Sequence, residues 1–324
     1  MSEPGEPDLQ ESNALGGLRA RSHAGTSGVL EAEEEEDYSD HNSYDSLCHE
    51  LEALLEDQTA CDAQVTDKPF AFVAKIISFC LFIFQLSLFV AASTSYRHDT
   101  TLRPFPPMFM LNNQDKDVTS LSSALDDLPS LAVLKQKLKL GQMDLDLKLL
   151  KLVVWILNGG NSNLKLKTLS DEEKKTISNL RNFEKHPRPH YIFEVCTNGT
   201  GRWSEAVKDK KTLWAFHGSR LDNFYSILNY GLQQHLNKTG LFGEGIYLCE
   251  DLGVCLTYSH QGLAWNNSSL GQAVSCVVMS EVLDHPSVKM YSQDRERGLV
   301  EGSVGGRVPD KYILVRNNDL VHIR

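Results

Sequence analysis

Residue types able to do chemistry concentrate in "AFHGSRLDNFYSILNYGL", Ala215 to Leu232. His217 closes a short apolar run and is followed directly by Gly218 and Ser219. Beyond them Leu221, Phe224, Ile227 and Leu228 fall on one helical face, and Gly231 is a natural terminator. The pattern predicts a strand-to-helix junction that gathers free backbone N–H groups, a small hydroxyl and an imidazole at one spot. Gly218, lacking a Cβ, lets a flat ligand approach the backbone. No metal-ligating partner stands at helical spacing from His217, and no serine lies in a nucleophile elbow.

Some thirty residues on comes "LFGEGIYLCEDLGVCLTYSHQG". Gly243 and Gly245 bracket an acid in a turn that leads into a strand carrying Tyr247, and Tyr258 lies on a short helix. Two tyrosines beside a glycine turn can sandwich an aromatic ligand, ring stacking being worth about 0.5–1.5 kcal/mol beyond burial. The plainer alternative is that each tyrosine, and His217 too, is a core residue with a satisfied hydrogen bond. The residues alone leave both readings open. The GxG lacks the third glycine of a dinucleotide-fold fingerprint.

Such a junction needs a sheet behind it. "HYIFEV" (190–195), "TLWAFHG" (212–218), "GIYLCE", "AVSCVVMSEVL" and "DKYILVRN" (310–317) are rich in aromatic and β-branched residues between Gly- and Asn-bearing turns, as strands are. Upstream, "SLSSALDDLPSLAVLKQKL", "DLDLKLLKLVVWILNGG" and "DEEKKTISNLRNF" read as helices. The fold class is therefore α+β: an all-helical region over 94–183, then a mixed β domain over 184–324, with the boundary near 184–188.

The remainder bounds the partners. The net charge of -11 argues against a general nucleic-acid binder. Much of it sits in "EAEEEEDYSD" (31–40), within a Gly-, Ser- and acid-rich stretch whose composition predicts disorder over 1–69, apart from a short helix at 47–55. The seven cysteines form no CxxC pair, and reduced thiols account for them most simply. That weighs against use of the sequons at Asn198, Asn237, Asn266 and Asn267. Phe70 to Ser93 is apolar and long enough to span a bilayer, yet it reads equally as a buried helix overlapping the first helix of the helical region.

Together, "AFHGSRLDNFYSIL" and "LFGEGIYL" resemble the NAD-binding core of the diphtheria-toxin-like ADP-ribosyltransferases, the poly(ADP-ribose) polymerase family. "YRHDTTLRPFP", "LPSLAVLKQ", "LVVWIL" and "EVLDHPSVK" extend the resemblance, from about Leu86 to Arg324, to the family's small tail-anchored endoplasmic-reticulum mono-ADP-ribosyltransferase branch. It implies a helical regulatory region over 94–183 and NAD as co-substrate, with no metal. It also implies protein acceptors, automodification included, and association with the endoplasmic-reticulum membrane with the catalytic domain in the cytoplasm.

Position by position, the resemblance implies that His217 bonds the 2′-hydroxyl of the adenine-side ribose and Gly218 holds the nicotinamide carboxamide. Ser219 and Asn223 would face the adenosine half, and Tyr247 and Tyr258 would stack on the nicotinamide ring. Tyr312, in "VPDKYILV", stands where chain-elongating members carry a glutamate. A phenol with a pKa near 10 can bond a ribose but is a poor base, so one ADP-ribose per acceptor is expected.

Three departures accompany the match. Cys255 replaces a hydroxyl that polymerases offer the carboxamide, the loop "SQDRERGLVEGSVGGRVPD" is short and Gly-rich and does not reveal the acceptor contacts, and the family continues past "NNDLVHIR" into a last strand and an anchor. On that basis an unpaired sheet edge is expected, with Phe70–Ser93 standing in for the anchor. The alternative functions are a catalytically impaired, membrane-associated NAD-binding protein of the same fold, and an NAD hydrolase.

Overall fold

Helix α2 (Lys68–Ser93) runs through the middle of the computed structural model, which describes residues 43–55, 68–112, 114–159, 164–169, 172, 177, 185–187, 189–197, 201–236, 243–290 and 312–324. From Cys80 onward its apolar side chains are buried on nearly every side: Leu81, Phe82, Ile83, Leu86, Leu88, Phe89 and Ala92 among them. A helix apolar all round is a core helix or a membrane span, and over 80–93 this one is core. The rest of the apolar segment, 70–79, reaches about 15 Å as a helix, against about 30 Å for a bilayer core. Among the described residues no helix is long and apolar enough to cross a membrane.

Around α2 stand α1 (43–55), α3 (His98–Thr101), α4 (Val118–Asp126), α5 (Leu131–Lys139) and α6 (Leu147–Leu157). Their starts follow from side-chain caps. Asp117 accepts from Ser120 N–H, Ser130 from Val133 N–H, and Asp146 from the N–H groups of Lys148 and Leu149. The short helix expected at 47–55 begins four residues earlier, and Leu51 and Leu55 bury themselves in the same core. The rest of the segment expected to be disordered, residues 1–42 and 56–67, lies outside the described residues, as does most of "DEEKKTISNLRNF".

Among the described residues, the region expected to be all-helical contains a strand. β1 (Leu164–Thr168) pairs antiparallel with β2 (Phe193–Thr197) across the boundary, Leu166 opposite Val195. The alternation of Leu and Lys in "LKLKT" is the period-2 signal that the helical reading passed over.

After α7 (Gly201–Ala206), β3 (Thr212–Gly218) enters a six-stranded sheet. Its other strands are β4 (Ile246–Cys249), β7 (Val277–Leu283), β8 (Val288–Met290), β9 (Tyr312–Val315) and β10 (Val321–Ile323). The order is β10-β7-β3-β4-β9-β8, and every pairing is antiparallel. The run expected as one strand over 273–283 is split: β5 (Gly262–Leu263) pairs with β6 (Ala273–Val274), and β7 starts afresh at Val277. At the break Ser275 donates its hydroxyl to the Ser259 carbonyl. β10 pairs with β7 on one side, Val321 opposite Val282, and stands at the edge of the sheet.

α8 (Leu221–Tyr230) joins the halves. Phe89 of α2 meets the Tyr225 ring edge-on at 5.2 Å and the Trp155 ring at 6.2 Å. The Tyr225 hydroxyl donates to the Pro104 carbonyl at 3.1 Å. Asn267, a sequon residue, donates its amide to the Leu128 carbonyl at 2.9 Å; Asn198 and Asn237 lie outside the described residues. One apolar cluster thus contains Phe89, Leu150, Phe224 and Val282 alike. Phe89→Ala should cost about 3–5 kcal/mol, read as a lower midpoint of a single denaturant transition. Loss of the helical half's signal before that of the sheet would contradict a shared core.

Candidate active site

β3 and β4 are zipped together at one register pair, Phe216 opposite Cys249. Past that pair the His217 ring takes over: Nδ1 lies 2.8 Å from the Tyr247 carbonyl oxygen. A carbonyl only accepts, so Nδ1 carries the proton and Nε2 presents its lone pair. Burial holds the imidazole below its usual value of 6.5, and the bond to Tyr247 works in the opposite direction. On the other side β3 keeps its full ladder with β7, His217 opposite Val278. The imidazole is thus fixed in tautomer and place by backbone alone.

Gly218 ends β3 directly beneath α9 (Leu252–Tyr258). A Cβ there would lie 2.0 Å from the Cys255 carbonyl oxygen and 2.8 Å from Ser259 Oγ, so glycine is obligatory for close packing rather than for φ. Asp251 caps α9 by accepting from Gly253 N–H at 2.9 Å. Phe216, Cys249, Leu252 and Cys255 form a small separate core under this helix.

The Cys255 thiol points into that core. It is 3% exposed and donates to the Phe216 carbonyl at 3.2 Å. Its bond with the Cys249 thiol, followed by burial, pushes its pKa far up. It therefore stands as packing and offers nothing to a ligand. The hydroxyl beside Gly218 is that of Ser259, which donates to the Cys255 carbonyl at 3.1 Å. Sequence reasoning did not single out Ser259, and it carries no motif signal.

Tyr247 and Tyr312 come from adjacent strands, since Tyr247 pairs with Leu314 and Cys249 with Tyr312. The Tyr247 hydroxyl donates to the Gly243 carbonyl at 2.7 Å, and Gly243 turns at φ +99°, a conformation that favours glycine. Tyr258, the last residue of α9, is half exposed. Its hydroxyl is bonded to that of Tyr312; this contact, then burial, pushes the Tyr312 pKa up to about 12.

At the start of α8, Ser219 Oγ accepts from Asn223 Nδ2 at 2.7 Å. Next to it Asp222, 6% exposed, is a hub. Ser95 Oγ donates to its Oδ2 at 2.7 Å, and Arg220 forks onto both oxygens at 3.2 and 3.3 Å. Arg97 approaches from the helical half at 3.3 Å. Burial by itself would raise the Asp222 pKa, but Ser95, Arg220 and Arg97 outweigh it and leave it lowered. Sequence reasoning missed Ser95, Arg97 and Asp222. Only the fold brings Ser95 and Arg97 to Asp222, over more than a hundred positions.

The structure therefore brings the predicted residues into one continuous arrangement: His217 on the Tyr247 carbonyl, Gly218 beneath α9, Tyr258 on Tyr312, and Ser219 on Asn223. An antiparallel sheet parted beside an imidazole, following a helical region, defines the class. The chain belongs to the poly(ADP-ribose) polymerase family. The family's catalytic domain matches residues 172–322, and an ARTD15 N-terminal domain matches 84–157. Among curated proteins the chain is similar to the protein mono-ADP-ribosyltransferase PARP16 of Mus musculus, 37% identical over 254 residues, and to that of Homo sapiens, 36% identical over 254 residues. Each comparison covers 74% of this chain and 76% of the relative.

Two outcomes follow from the geometry. Gly218→Ala should displace α9, destabilise the fold by about 1–3 kcal/mol and abolish NAD binding in a calorimetric titration. For His217 the depressed pKa means its stabilising contribution is complete above the unfolded value of 6.5 and is lost as pH falls below it. Thermal melts from pH 8 down to pH 5 should show His217→Gln with a shallower acid decline than wild type. Identical profiles would contradict a neutral, half-buried imidazole.

Proposed function

We propose that the chain is an NAD-dependent protein mono-ADP-ribosyltransferase, moving one ADP-ribose from NAD to a protein acceptor, itself included, with release of nicotinamide. Family membership and the named activity of the relatives support this reading. The observation that carries the mono- rather than poly-transfer is Tyr312, a phenol bonded to Tyr258 whose pKa is pushed up to about 12. It stays protonated at any working pH and so cannot act as the general base that chain growth on a ribose hydroxyl requires.

The roles are those the resemblance implies. His217 Nε2 accepts from a ribose hydroxyl of the adenosine half. The Gly218 backbone faces the nicotinamide carboxamide, and Tyr247 and Tyr258 flank the ring. The nicotinamide–ribose bond breaks with its electron pair going to the departing ring, which leaves neutral. An acceptor nucleophile bonds the ribose carbon and gives its proton to solvent. The intervening state resembles an oxocarbenium ion, so groups held rigidly on the ribose lower the barrier by stabilising developing charge.

Anchorage at the endoplasmic reticulum, with the catalytic region facing the cytoplasm, is supported here by resemblance to the tail-anchored branch alone. Release of the chain from membranes by alkaline carbonate would count against it.

A second reading, binding without turnover, is favoured by the inward-facing Cys255, since the hydroxyl that polymerases offer the carboxamide has no counterpart there. Mass spectrometry of the purified chain after incubation with NAD separates the readings. Single ADP-ribose additions that fall about 100-fold in His217→Ala are expected. Oligomeric chains would overturn the mono assignment, and free ADP-ribose without protein labelling would indicate a hydrolase. NAD binding with no product at all would leave the non-catalytic reading.

A further inference from the structure

One side chain of the helical region reaches the residues assigned to the adenosine half. Arg97 Nη2 donates to Asn223 Oδ1 at 3.2 Å. A guanidinium has donors only, so the amide must turn its oxygen toward Arg97. Its nitrogen then faces Ser219 Oγ, at 2.7 Å. That bond occupies a lone pair of the Ser219 oxygen and leaves the hydroxyl proton free to be given elsewhere. With the amide reversed, donor would face donor at Arg97, and Ser219 would give its proton to Asn223 instead. The polarity of three residues is therefore set from one end.

Arg97 is not arranged as a simple ion-pair partner. Arg220 holds the two-pronged position on Asp222, Nε to Oδ1 and Nη2 to Oδ2. Arg97 divides a single nitrogen, Nη2, between Asp222 and Asn223, while its buried Nε has no hydrogen-bond partner among the described residues. A fork-on-fork pair would have used both nitrogens, and a buried unsatisfied donor costs about 1–3 kcal/mol. The arrangement forgoes stability yet keeps Arg97 on Asn223. Ser95 steadies the segment, accepting from Arg97 N–H at 3.2 Å while donating to Asp222.

We propose that Arg97 is a positioning residue for the dinucleotide: by fixing the Asn223 amide it makes Ser219 a hydrogen-bond donor to an acceptor atom on the adenosine half of NAD. The inference rests on the proposed function and assigns the helical region a part in binding the donor substrate. Recognition of the ADP-ribose half depends on Arg97, and recognition of the nicotinamide half does not.

Calorimetric titration of the full chain with ADP-ribose, and separately with nicotinamide, tests this. Arg97→Met should weaken ADP-ribose about tenfold and leave nicotinamide affinity unchanged. Arg97→Lys, also a donor only, should restore most of the loss. In a Ser219→Ala background Arg97→Met should add nothing, because both act through one hydroxyl. Should Arg97→Met fail to fold, Asn223→Asp replaces it: a carboxylate still accepts from Arg97 but takes the Ser219 proton, and the same selective loss is expected. Equal weakening of both ligands, or full additivity with Ser219→Ala, would overturn the inference by making Arg97 merely structural. Wild type that binds ADP-ribose no better than Arg97→Met would also overturn it, with the proposed function intact. Wild type that binds no ADP-ribose at all would bring down the proposed function itself.

Discussion

The parting of β3 from β4 after the Phe216–Cys249 pair constrains everything else at the site. Two neighbouring strands with a continuous ladder leave no room for a ligand between them. Strands that part leave backbone groups needing partners, because buried polar groups are costly when unpaired. Here the His217 imidazole supplies a donor to the Tyr247 carbonyl. One residue thus closes the ladder electrostatically while holding it open sterically. The same bond dictates which ring nitrogen faces outward. Gly218 is the counterpart on β3, since the strand can end beneath α9 only where no Cβ intervenes.

The groups gathered along this seam are kept neutral by different means. Burial does so for His217, whereas for Tyr312 it is chiefly the contact with Tyr258. Cys255 is neutral because it packs against a second thiol. Charge is displaced to one side, where Asp222 is shared by Arg97, Arg220 and Ser95. Neutral groups thus line the seam, with an ion-pair network to one side of them.

Local patterns announced most of the secondary structure that carries the site. The apolar face of α8 with Gly231 after it, the aromatic and β-branched runs of β3 and β4, and the motif pair around His217 and Tyr247 were all readable, because each is determined within a dozen residues. Cys255 could be placed but not oriented, since its inward turn depends on Phe216 and Cys249 from two strands beneath its helix. The Asp222 hub was illegible: Ser95 lies 127 positions away, and nothing in "YRHDTT" points its arginine toward Asp222. The strand "LKLKT" was overlooked because it is short and its partner lies beyond the boundary. The apolar run at 70–93 had two readings because composition cannot tell lipid from protein interior, and over 80–93 only the packing against the catalytic half does so.

That shared interior bears on how such a chain can change over generations. The two family matches lie end to end along the sequence, as if they were modules that could be exchanged. Yet Phe89 lies edge-on to a ring from its own half, Trp155, and to one from the other, Tyr225. Residues in contact do not drift independently. A replacement at Phe89 must be answered across the junction, and grafting the helical half of a distant relative onto this catalytic half would juxtapose surfaces that never adapted to each other.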